Sequence, residues 1–306
     1  MGRVGLGLAA LGRPAYINLG REGALPGERS VDELRGASWD VLDAAYAAGV
    51  RWVDVARSYG RAEEFLAGWL ADRDHRDVTV SSKWGYAYVG EWRLDARVHE
   101  VKEHSLERFR AQLDESRRLL GDRIALYQVH SLTADSPLLG DRRLLAAMVE
   151  SGLPLGFSTS GPAQPDTIAR AMELEVDGRP VFTAVQSTWN PLEPSASARL
   201  AEAHAAGLRV LVKEPLANGR LAVRAPDAVR RLAARYTTGP DAVALAAALA
   251  QPWADTVLLG PASVPQLHAN LAALDVPLTA DDLAELTPLA EPPPAYWSER
   301  SALPWT

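Results

Sequence analysis

Cysteine is absent from the 306 residues, and methionine occurs only three times. The missing thiols exclude disulfides, cysteine nucleophiles, cysteine zinc sites and iron–sulfur clusters. The chain also lacks a run of 18 apolar residues, and near its start a single arginine precedes a short apolar stretch that glycine interrupts. We therefore predict neither a membrane-spanning segment nor a signal peptide, and we expect a cytoplasmic protein.

The charge balance is mildly acidic, with 32 Lys and Arg residues against 39 Asp and Glu residues. Such a chain offers no broad positive surface to a phosphate backbone, so we expect no binding to nucleic acid. Hydrophobic residues make up 47% of the chain and charged residues 23%, which is ordinary for a globular protein. No Gly/Ser-rich linker divides the sequence, and we expect residues 1–306 to form a single domain.

Short β-type segments alternate with amphipathic helical segments along most of the chain. Eight segments are predicted as strands: 4–9, 51–55, 78–83, 126–130, 155–158, 184–187, 209–213 and 256–259. Several helical segments stop at a glycine just before a strand, namely at Gly49, Gly121, Gly152 and Gly207. Eight strand–helix units predict an α/β fold of the (β/α)8 (TIM) barrel type, with an open doubly wound sheet as the alternative.

The chain continues well beyond the eighth predicted strand. We expect an extra C-terminal helix and a tail to pack over the catalytic face. The tail, from Glu291 onwards, is rich in proline and aromatic residues. Because its Tyr and Trp side chains would be costly to leave in water, we expect it to be an ordered loop.

Three patterns that resemble known motifs fail on their details. His99 and His104 lie five residues apart, so on a helix they would point about 140° apart and could not share a zinc ion. We interpret both as surface or supporting residues and predict no metal site. In "GFSTSG", Ser160 stands where the nucleophile elbow needs glycine. "GLGLAALG" lacks the spacing of the dinucleotide-binding glycine fingerprint, and no Walker A motif is present.

Ionisable residues lie at the ends of three consecutive predicted strands. Asp54 lies at the end of the second strand with Tyr59 in the loop after it, while Lys83 ends the third strand and His130 the fourth. In a (β/α)8 barrel the C-terminal strand ends form the catalytic face. Because buried charges there are costly unless they pair, we expect Asp54 and Lys83 to neutralise each other.

These four residue types favour chemistry on a carbonyl group. A phenol, with a pKa of about 10, is a poor acid at neutral pH. A cationic lysine beside Tyr59 should lower that pKa and let the phenol exchange a proton with a substrate oxygen. Asp54 would keep Lys83 charged, and His130 would orient the same oxygen. Taken singly, each residue is more often a cap or an ion-pair partner, but the four together favour a catalytic site.

Seven segments in fixed order cover most of the chain: "GVRWVDVARSYGRAEEFLAGWL", "VTVSSKWGY", "LYQVHS", "GFSTSG", "VQSTWN", "PLANGRL" and "LLGPASVPQLHANLAAL". Together they resemble the aldo-keto reductase family. The resemblance implies a (β/α)8 barrel and the reversible, NAD(P)H-dependent reduction of an aldehyde, ketone or sugar to an alcohol. It also implies that Tyr59 is the general acid, that Lys83 and Asp54 tune it, and that His130 orients the carbonyl.

The same resemblance implies which residues hold the nicotinamide cofactor. Ser158 and Gln186 would bind the carboxamide, with Thr159 and Lys213 beside them. The other implied contacts lie at the pyrophosphate (Leu216, Asn218 and Arg220) and at the adenosine phosphate end (Gly260, Ser263, Gln266 and Asn270). We expect NADP(H) rather than NAD(H), because Asn270 is retained.

Several positions depart from the family's pattern. Thr159 replaces a usual asparagine, and Gln266 stands where an arginine often grips the 2′-phosphate. Lys213 takes the place of an aromatic ring that usually stacks on the nicotinamide. We expect Lys213 to pair with Glu214 or a nearby ion, which would leave Trp189 or another aromatic residue to cover the ring.

Aromatic residues are frequent in the segments that we assign to the catalytic face. As a group they favour a bulky or ring-containing carbonyl or alcohol as the substrate. The candidates for the substrate pocket are Tyr16, Trp84, Tyr86, Trp189 and Trp297. The specific substrate, the direction of the reaction and the oligomeric state cannot be read from variable loops.

Two other functions stay open. A barrel lyase or aldolase could use Lys213 or Lys83 to form a Schiff base. A non-enzymatic, NADP-binding partner subunit could keep the fold and act through protein contacts. The first alternative leaves Asp54, Tyr59 and His130 unexplained, and the complete set of four argues against the second.

Overall fold

The computed structural model describes residues 2–305, in which eight parallel strands close into a barrel. The strands are β1 (Val4–Gly7), β2 (Trp52–Asp54), β3 (Thr79–Trp84), β4 (Ile124–Leu132), β5 (Leu155–Thr159), β6 (Ala184–Thr188), β7 (Arg209–Lys213) and β8 (Thr256–Leu259). Each strand pairs with its neighbours in sequence, and β1 closes the ring against β8 with Val4 opposite Val257. The predicted (β/α)8 barrel is therefore confirmed.

Helices surround the barrel and extend past its last strand. They are α1 (Val31–Ala47), α2 (Ala62–Arg73), α3 (Leu106–Leu120), α4 (Arg142–Glu150), α5 (Gln164–Met172), α6 (Ser197–Ala205), α7 (Arg220–Val223), α8 (Asp227–Arg235), α9 (Pro240–Leu249), α10 (Val264–Leu271), α11 (Ala280–Leu286) and α12 (Pro293–Ala302). A short hairpin, Tyr86–Tyr88 paired with Glu100–Lys102, follows β3. Of these helices, none combines the length and the apolar character needed to cross a membrane.

Local sequence signals account for most of these boundaries. All eight strands lie within two residues of the predicted segments, and Gly49, Gly121, Gly152 and Gly207 all adopt the positive φ that ends a helix. Helix α1 begins at a capping box between Ser30 and Glu33. The tail was expected to be a loop, and that expectation is wrong, because most of it forms α12.

The barrel interior changes from apolar to polar towards the catalytic face. Trp52, Leu126, Ala184 and Leu258, from the even-numbered strands, form an apolar layer with Leu211. Above this layer, the carboxylate of Asp54 accepts hydrogen bonds from the side-chain amides of Gln128 and Gln186, both at 3.1 Å. The barrel therefore offers the site a buried, hydrogen-bonded polar floor.

Candidate active site

Asp54 and Lys83 form a buried ion pair across the adjacent strands β2 and β3, as expected. Asp54 is 3% exposed and Lys83 is 1% exposed. The ammonium of Lys83 also donates to the backbone oxygen of Val55 at 2.9 Å. The other carboxylate oxygen of Asp54 accepts hydrogen bonds from three side chains: Ser81, Gln128 and Gln186. The carboxylate is thus fixed on both sides, and Lys83 has little freedom to move.

Tyr59 lies in the loop between β2 and α2, directly beside this pair. The Nζ atom of Lys83 is 4.9 Å from the centroid of the Tyr59 ring. The imidazole of His130 is 5.4 Å from the same centroid and nearly perpendicular to it, and its Nδ1 lies 3.3 Å from the hydroxyl of Ser58. The structure therefore brings all four predicted catalytic residues together at one rim of the barrel.

The electrostatics of Tyr59 differ from the prediction. Burial, and then the carboxylate of Asp54, raise the pKa of Tyr59 well above its ordinary value. The prediction of a lowered Tyr59 pKa is wrong, because Asp54 neutralises the Lys83 cation and burial disfavours the phenolate. Burial, and then Lys83, lower the pKa of His130 well below its ordinary value. At neutral pH the phenol is therefore protonated and the imidazole is uncharged.

A pocket of about 710 Å³ of empty space, measured out to its mouth, opens in front of Asp54 and Tyr59. Small residues, Gly7, Ala9 and Ala10, form one wall. Six of the predicted pocket and cofactor residues line it: Tyr16, Gln186, Lys213, Leu216, Asn218 and Gly260. Within the described residues the buried Oδ1 atom of Asn218 has no hydrogen-bond partner. The pocket thus keeps a buried acceptor that a ligand could satisfy.

Ser158 and Gln186 face each other on neighbouring strands, where they are direct register partners of β5 and β6. The hydroxyl of Ser158 accepts a hydrogen bond from the backbone N–H of Ser131 at 2.8 Å. Thr159 behaves differently, because its hydroxyl bonds to Ser187 at 2.8 Å and to Gln164 at 3.0 Å. Thr159 is fully buried in these contacts, as Ser158 is, and its role in cofactor binding stays a prediction.

The end of β7 carries a second set of buried charges. The ammonium of Lys213 donates to the hydroxyl of Thr188 at 2.8 Å, and its Nζ lies 3.8 Å from the carboxylate of Glu214. Arg300, from α12, also binds that carboxylate. Burial lowers the pKa of Lys213 to about 8, whereas Arg300 and Lys213 overcome the effect of burial and lower the pKa of Glu214 to about 2. The expected pairing of Lys213 is confirmed, and the tail supplies the second cation.

The segment after β7 is held in an unusual backbone conformation. Glu214, Ala217 and Asn218 have φ values of 54°, 49° and 54°, which non-glycine residues rarely adopt. The side-chain amide of Asn218 donates to the backbone oxygen of Ile17 at 2.9 Å. The segment is therefore tied to the loop after β1. Strained backbone that tertiary contacts enforce is typical of ligand-binding segments.

Four of the predicted cofactor residues are engaged within the protein itself. Arg220 pairs with Glu291 and Glu299 in the tail, and its contact with the pyrophosphate stays a prediction. Ser263 caps α10, Gln266 donates to the backbone oxygen of Gly20 at 3.1 Å, and Asn270 donates to Asp241 at 2.8 Å. Of the adenosine-end residues, Gly260 alone belongs to the pocket wall.

The aromatic candidates divide into two groups. Tyr16 lines the pocket, and the ring of Tyr86 lies 5.0 Å from that of His130. Trp84 was also predicted to line the substrate pocket. It is fully buried beneath α3 with its ring 5.0 Å from Phe109, and it is not part of the pocket wall.

Two further tryptophans pack away from the pocket wall. The indole N–H of Trp189 donates to Ser197 at 2.8 Å, and its ring lies 5.8 Å from that of Trp253. Trp297 belongs to a buried cluster that includes residues of α8 and α9, and its ring lies 5.9 Å from the Nζ of Lys213. Neither side chain lines the pocket described above, although both were predicted as pocket residues.

His104 supports His130, which is one of the two roles expected for the histidine pair. His99 and His104 are both buried, so the other expected role, that of a surface residue, applies to neither. The Nε2 of His104 lies 2.9 Å from the backbone oxygen of His130, and its Nδ1 lies 2.8 Å from the hydroxyl of Ser136. Burial lowers the pKa of His104 to about 4. A neutral imidazole therefore fixes the backbone of His130.

Comparison with known proteins agrees with this geometry. Residues 34–291 match the sequence model of the Aldo/keto reductase family, and the chain belongs to that family. The family is one of oxidoreductases that act on small carbonyl compounds and generally bind NAD(P)H.

Two fungal relatives illustrate how far the sequence similarity extends. The chain is 26% identical to the aldo-keto reductase str7 of Strobilurus tenacellus over 287 residues, covering 82% of this chain and 80% of that protein. It is 25% identical to the aldo-keto reductase ausK of Aspergillus calidoustus over 283 residues, covering 80% of this chain and 70% of that protein. Both alignments include most of the barrel.

Solved structures show the same fold. AKR11C1 of Bacillus halodurans, in its holo form, gives a TM-score of 0.69 at 21% identity, with 95% of this chain and 92% of that chain covered. PA4992 of Pseudomonas aeruginosa, assigned to the aldo-keto reductases, gives 0.64 at 24% identity, with 89% of each chain covered. These likenesses support the barrel architecture.

Proposed function

We propose that the protein interconverts a carbonyl compound and an alcohol with NADP(H) as the hydride carrier. Tyr59 is the general acid and base, Asp54 and Lys83 are its buried support, and His130 orients the carbonyl oxygen. The observation that carries the proposal is the meeting of Asp54, Lys83 and His130 around Tyr59, at the rim where Asp54 and Tyr59 line the pocket. Bound cofactor would supply the hydride, and the protein would supply the proton.

The pocket residues fit a nicotinamide dinucleotide. Gly7, Ala9 and Ala10 leave room for a flat ring, and a Cβ atom added at Gly260 would meet nothing within 4 Å. The unpartnered Oδ1 of Asn218 offers an acceptor to an N–H or hydroxyl donor. We propose that Ser158 and Gln186 hold the carboxamide and that Leu216, Asn218 and Gly260 contact the rest of the cofactor.

The protonation states suit carbonyl reduction. The raised pKa of Tyr59 keeps its hydroxyl protonated, so it can donate to the alkoxide oxygen that develops as the hydride arrives. The lowered pKa of His130 keeps that imidazole uncharged, so one ring nitrogen donates to the carbonyl oxygen without adding a charge. In the opposite direction, the Tyr59 phenolate accepts the proton of the alcohol.

Replacing Tyr59 tests this proposal most directly. Tyr59→Phe removes only the hydroxyl, so turnover of an aldehyde panel with NADPH should fall by at least about 100-fold. Cofactor binding, followed by quenching of tryptophan fluorescence, should stay within a few-fold of the unaltered protein. Tyr236→Phe is the matched control, because that hydroxyl binds Asp282 and the backbone of Pro277, outside the pocket.

The outcomes separate the competing functions. Retained turnover in Tyr59→Phe would refute the assignment of the general acid. Tight NADPH binding without turnover of any carbonyl by the unaltered protein would instead favour a non-enzymatic cofactor-binding subunit. The same titration with NADH tests the proposed preference for NADP(H), which predicts weaker binding of NADH.

A Schiff-base function has one observation in its favour. Lys213 lines the pocket, and its pKa of about 8 gives it more neutral amine than an ordinary lysine has at neutral pH. Lys83 is unsuitable, because Asp54 and the backbone oxygen of Val55 hold its ammonium. Borohydride trapping of a carbonyl compound on Lys213, without any nicotinamide, would support this second function.

A further inference from the structure

A second cation besides Lys83, the guanidinium of Arg13, lies against the ring of Tyr59. Its guanidinium carbon is 5.3 Å from the centroid of the Tyr59 ring and 5.0 Å from the rings of both Tyr16 and Trp305. Arg13 is 1% exposed, and one of its amino groups donates to the backbone oxygen of Ser58 at 3.2 Å. A guanidinium so deeply buried is costly unless it is paired.

Glu100 supplies the counter-ion from the hairpin after β3. Its carboxylate oxygen lies 2.7 Å from Arg13, and its side chain is 16% exposed. The pair joins segments that are distant in sequence, since Arg13 belongs to the loop after β1, Glu100 to the hairpin, and Trp305 to the tail. Arg13 therefore marks the place where these segments meet over Tyr59.

Two glycines make this approach possible. A Cβ atom at Gly12 would lie 2.2 Å from the backbone oxygen of Tyr59, and one at Gly60 would lie 2.4 Å from the backbone oxygen of Gly12. Gly60 also has a φ of +60°. Because only glycine fits at both positions, the two loops dock backbone to backbone, which brings Arg13 beside the Tyr59 ring.

The two ion pairs near Tyr59, Asp54–Lys83 and Arg13–Glu100, affect the pKa of Tyr59 differently. Asp54 cancels Lys83 and itself opposes the phenolate, whereas Arg13 lowers the pKa of Tyr59 and Glu100 raises it. The charged and titratable groups that face Tyr59 are Asp54, Lys83, His130, Arg13, Glu100, Glu214 and Tyr16. Among them Arg13 is a cation, besides Lys83, that favours the phenolate, and its own counter-ion is Glu100.

We propose that Arg13 is a positioning residue that stabilises negative charge on the Tyr59 oxygen, with Glu100 as the counter-ion that limits this effect. The proposal rests on the proposed function, in which Tyr59 passes between phenol and phenolate. When Tyr59 gives its proton to the substrate oxygen, Arg13 offsets the charge left behind. Glu100 keeps the resting phenol from ionising too readily.

The arrangement predicts opposite effects for the two members of the pair. Arg13→Met removes the favourable cation and leaves the Glu100 charge unbalanced, so the pKa of Tyr59 should rise. Glu100→Gln leaves the Arg13 charge unbalanced, so the pKa should fall. A charge at about 5 Å in a buried site shifts a pKa by about one to two units. A merely structural role in holding the loops would not give shifts of opposite sign.

The test measures the ionisation of Tyr59 directly in the full-length protein. We would place 3,5-difluorotyrosine at position 59, because fluorine lowers the pKa of a phenol into an accessible range, and follow its 19F resonance as the pH is raised. We expect a midpoint about one to two pH units higher in Arg13→Met and a lower midpoint in Glu100→Gln. Arg13→Lys should remain near the unaltered protein, and the double variant Arg13→Met, Glu100→Gln should lie between the two single variants.

Shifts in the same direction for both single variants, or no shift in Glu100→Gln, would overturn the proposal. Glu100→Gln and Arg13→Lys keep the test decisive if Arg13→Met does not fold, which circular dichroism would reveal. The readout does not depend on turnover. Opposite shifts combined with retained turnover in Tyr59→Phe would uphold this inference while the proposed function failed. Lost turnover in Tyr59→Phe combined with shifts in the same direction would uphold the proposed function while this inference failed.

Discussion

The two sides of the pocket differ in how their buried charges are balanced. On the β2–β4 side, a single ion pair between Asp54 and Lys83 is almost completely buried and anchored by uncharged amides and hydroxyls. On the β7 side, Lys213 shares Glu214 with Arg300 from the tail, so two cations face one carboxylate. The first side holds a balanced charge, and the second holds an excess of positive charge.

This difference shows how one barrel can support two parts of a pocket in different ways. The balanced pair on the strands β2 and β3 holds the surroundings of Tyr59 in place. The β7 wall depends on a strained segment and on the tail, and loops and termini tolerate change more easily than strands do. A change at Lys213 can therefore alter the wall while Asp54, Lys83 and His130 stay in place around Tyr59.

The largest expected effect is the loss of stability on breaking the ion pair between Asp54 and Lys83. Asp54→Asn or Lys83→Met leaves one buried charge unpaired, so each should lower the free energy of unfolding by about 3–5 kcal/mol in urea denaturation. The double variant should cost less than the sum of the two, because no lone charge remains. Arg93 and Asp95 form an exposed pair for comparison, and their removal should leave the unfolding midpoint unchanged. Strictly additive effects at Asp54 and Lys83 would contradict a buried, coupled pair.

A smaller effect is expected on the β7 side, where the excess positive charge should make the stability contributed by Lys213 depend on pH. Lys213 has a pKa of about 8 in the folded protein against 10.5 ordinarily. Between these pH values the unfolded chain binds more protons than the folded one, so this group's contribution to stability rises with pH by up to about 3 kcal/mol. Below pH 8 the buried ammonium of Lys213 destabilises the folded protein.

Lys213→Met lacks this dependence and provides the measurement. The difference in unfolding free energy, Lys213→Met minus the unaltered protein, should fall as the pH rises from 7 to 10. Taking the difference removes titrations that both proteins share. Parallel curves would show that the Lys213 ammonium is not held in an unfavourable environment.

The smallest expected effect concerns the far end of the cofactor wall. Gln266 lies in the first turn of α10 and donates to the backbone of Gly20. Gln266→Arg would add a guanidinium that can pair with a phosphate, so the preference for NADPH over NADH should increase by about 2- to 5-fold. Gln266→Met is the control, because it releases Gly20 without adding charge. An equal change in both variants would mean that the charge is not responsible.

Sequence patterns predicted the site unevenly, and particular residues show why. Asp54, Lys83 and His130 lie at or within two residues of the ends of parallel strands, and parallel strands all end at one rim, so their meeting followed from topology. Trp84 ends β3 and Trp189 directly follows β6, but the alternation of a strand turns Trp84 outward under α3, and Trp189 bonds to Ser197. A strand end fixes which rim a residue reaches, whereas the side that its ring faces depends on packing.

Loop residues lay beyond such reasoning. Arg13 contacts Ser58, Glu100 and Trp305, and these partners come from three segments with no regular spacing between them. The rise in the Tyr59 pKa depends on how much water the tail and the hairpin exclude, which no local pattern encodes. The helical form of the tail was missed for a related reason, since its prolines occupy the first turn of α12, where they are tolerated.

Periodicity and glycine stops, which are local properties of the chain, were enough to predict eight strand–helix units and the rim where the ionisable residues gather, whereas the closure into a barrel was favoured over an open sheet and confirmed by the pairing of β1 with β8. Tertiary structure alone decided which side chains face the pocket, which charges remain balanced and which cation accompanies Tyr59. The physical reason is the separation along the chain over which each kind of interaction acts. Hydrogen bonding and side-chain periodicity act over a few residues, whereas desolvation and Coulomb interactions depend on every group that folding brings near, however distant it is along the chain.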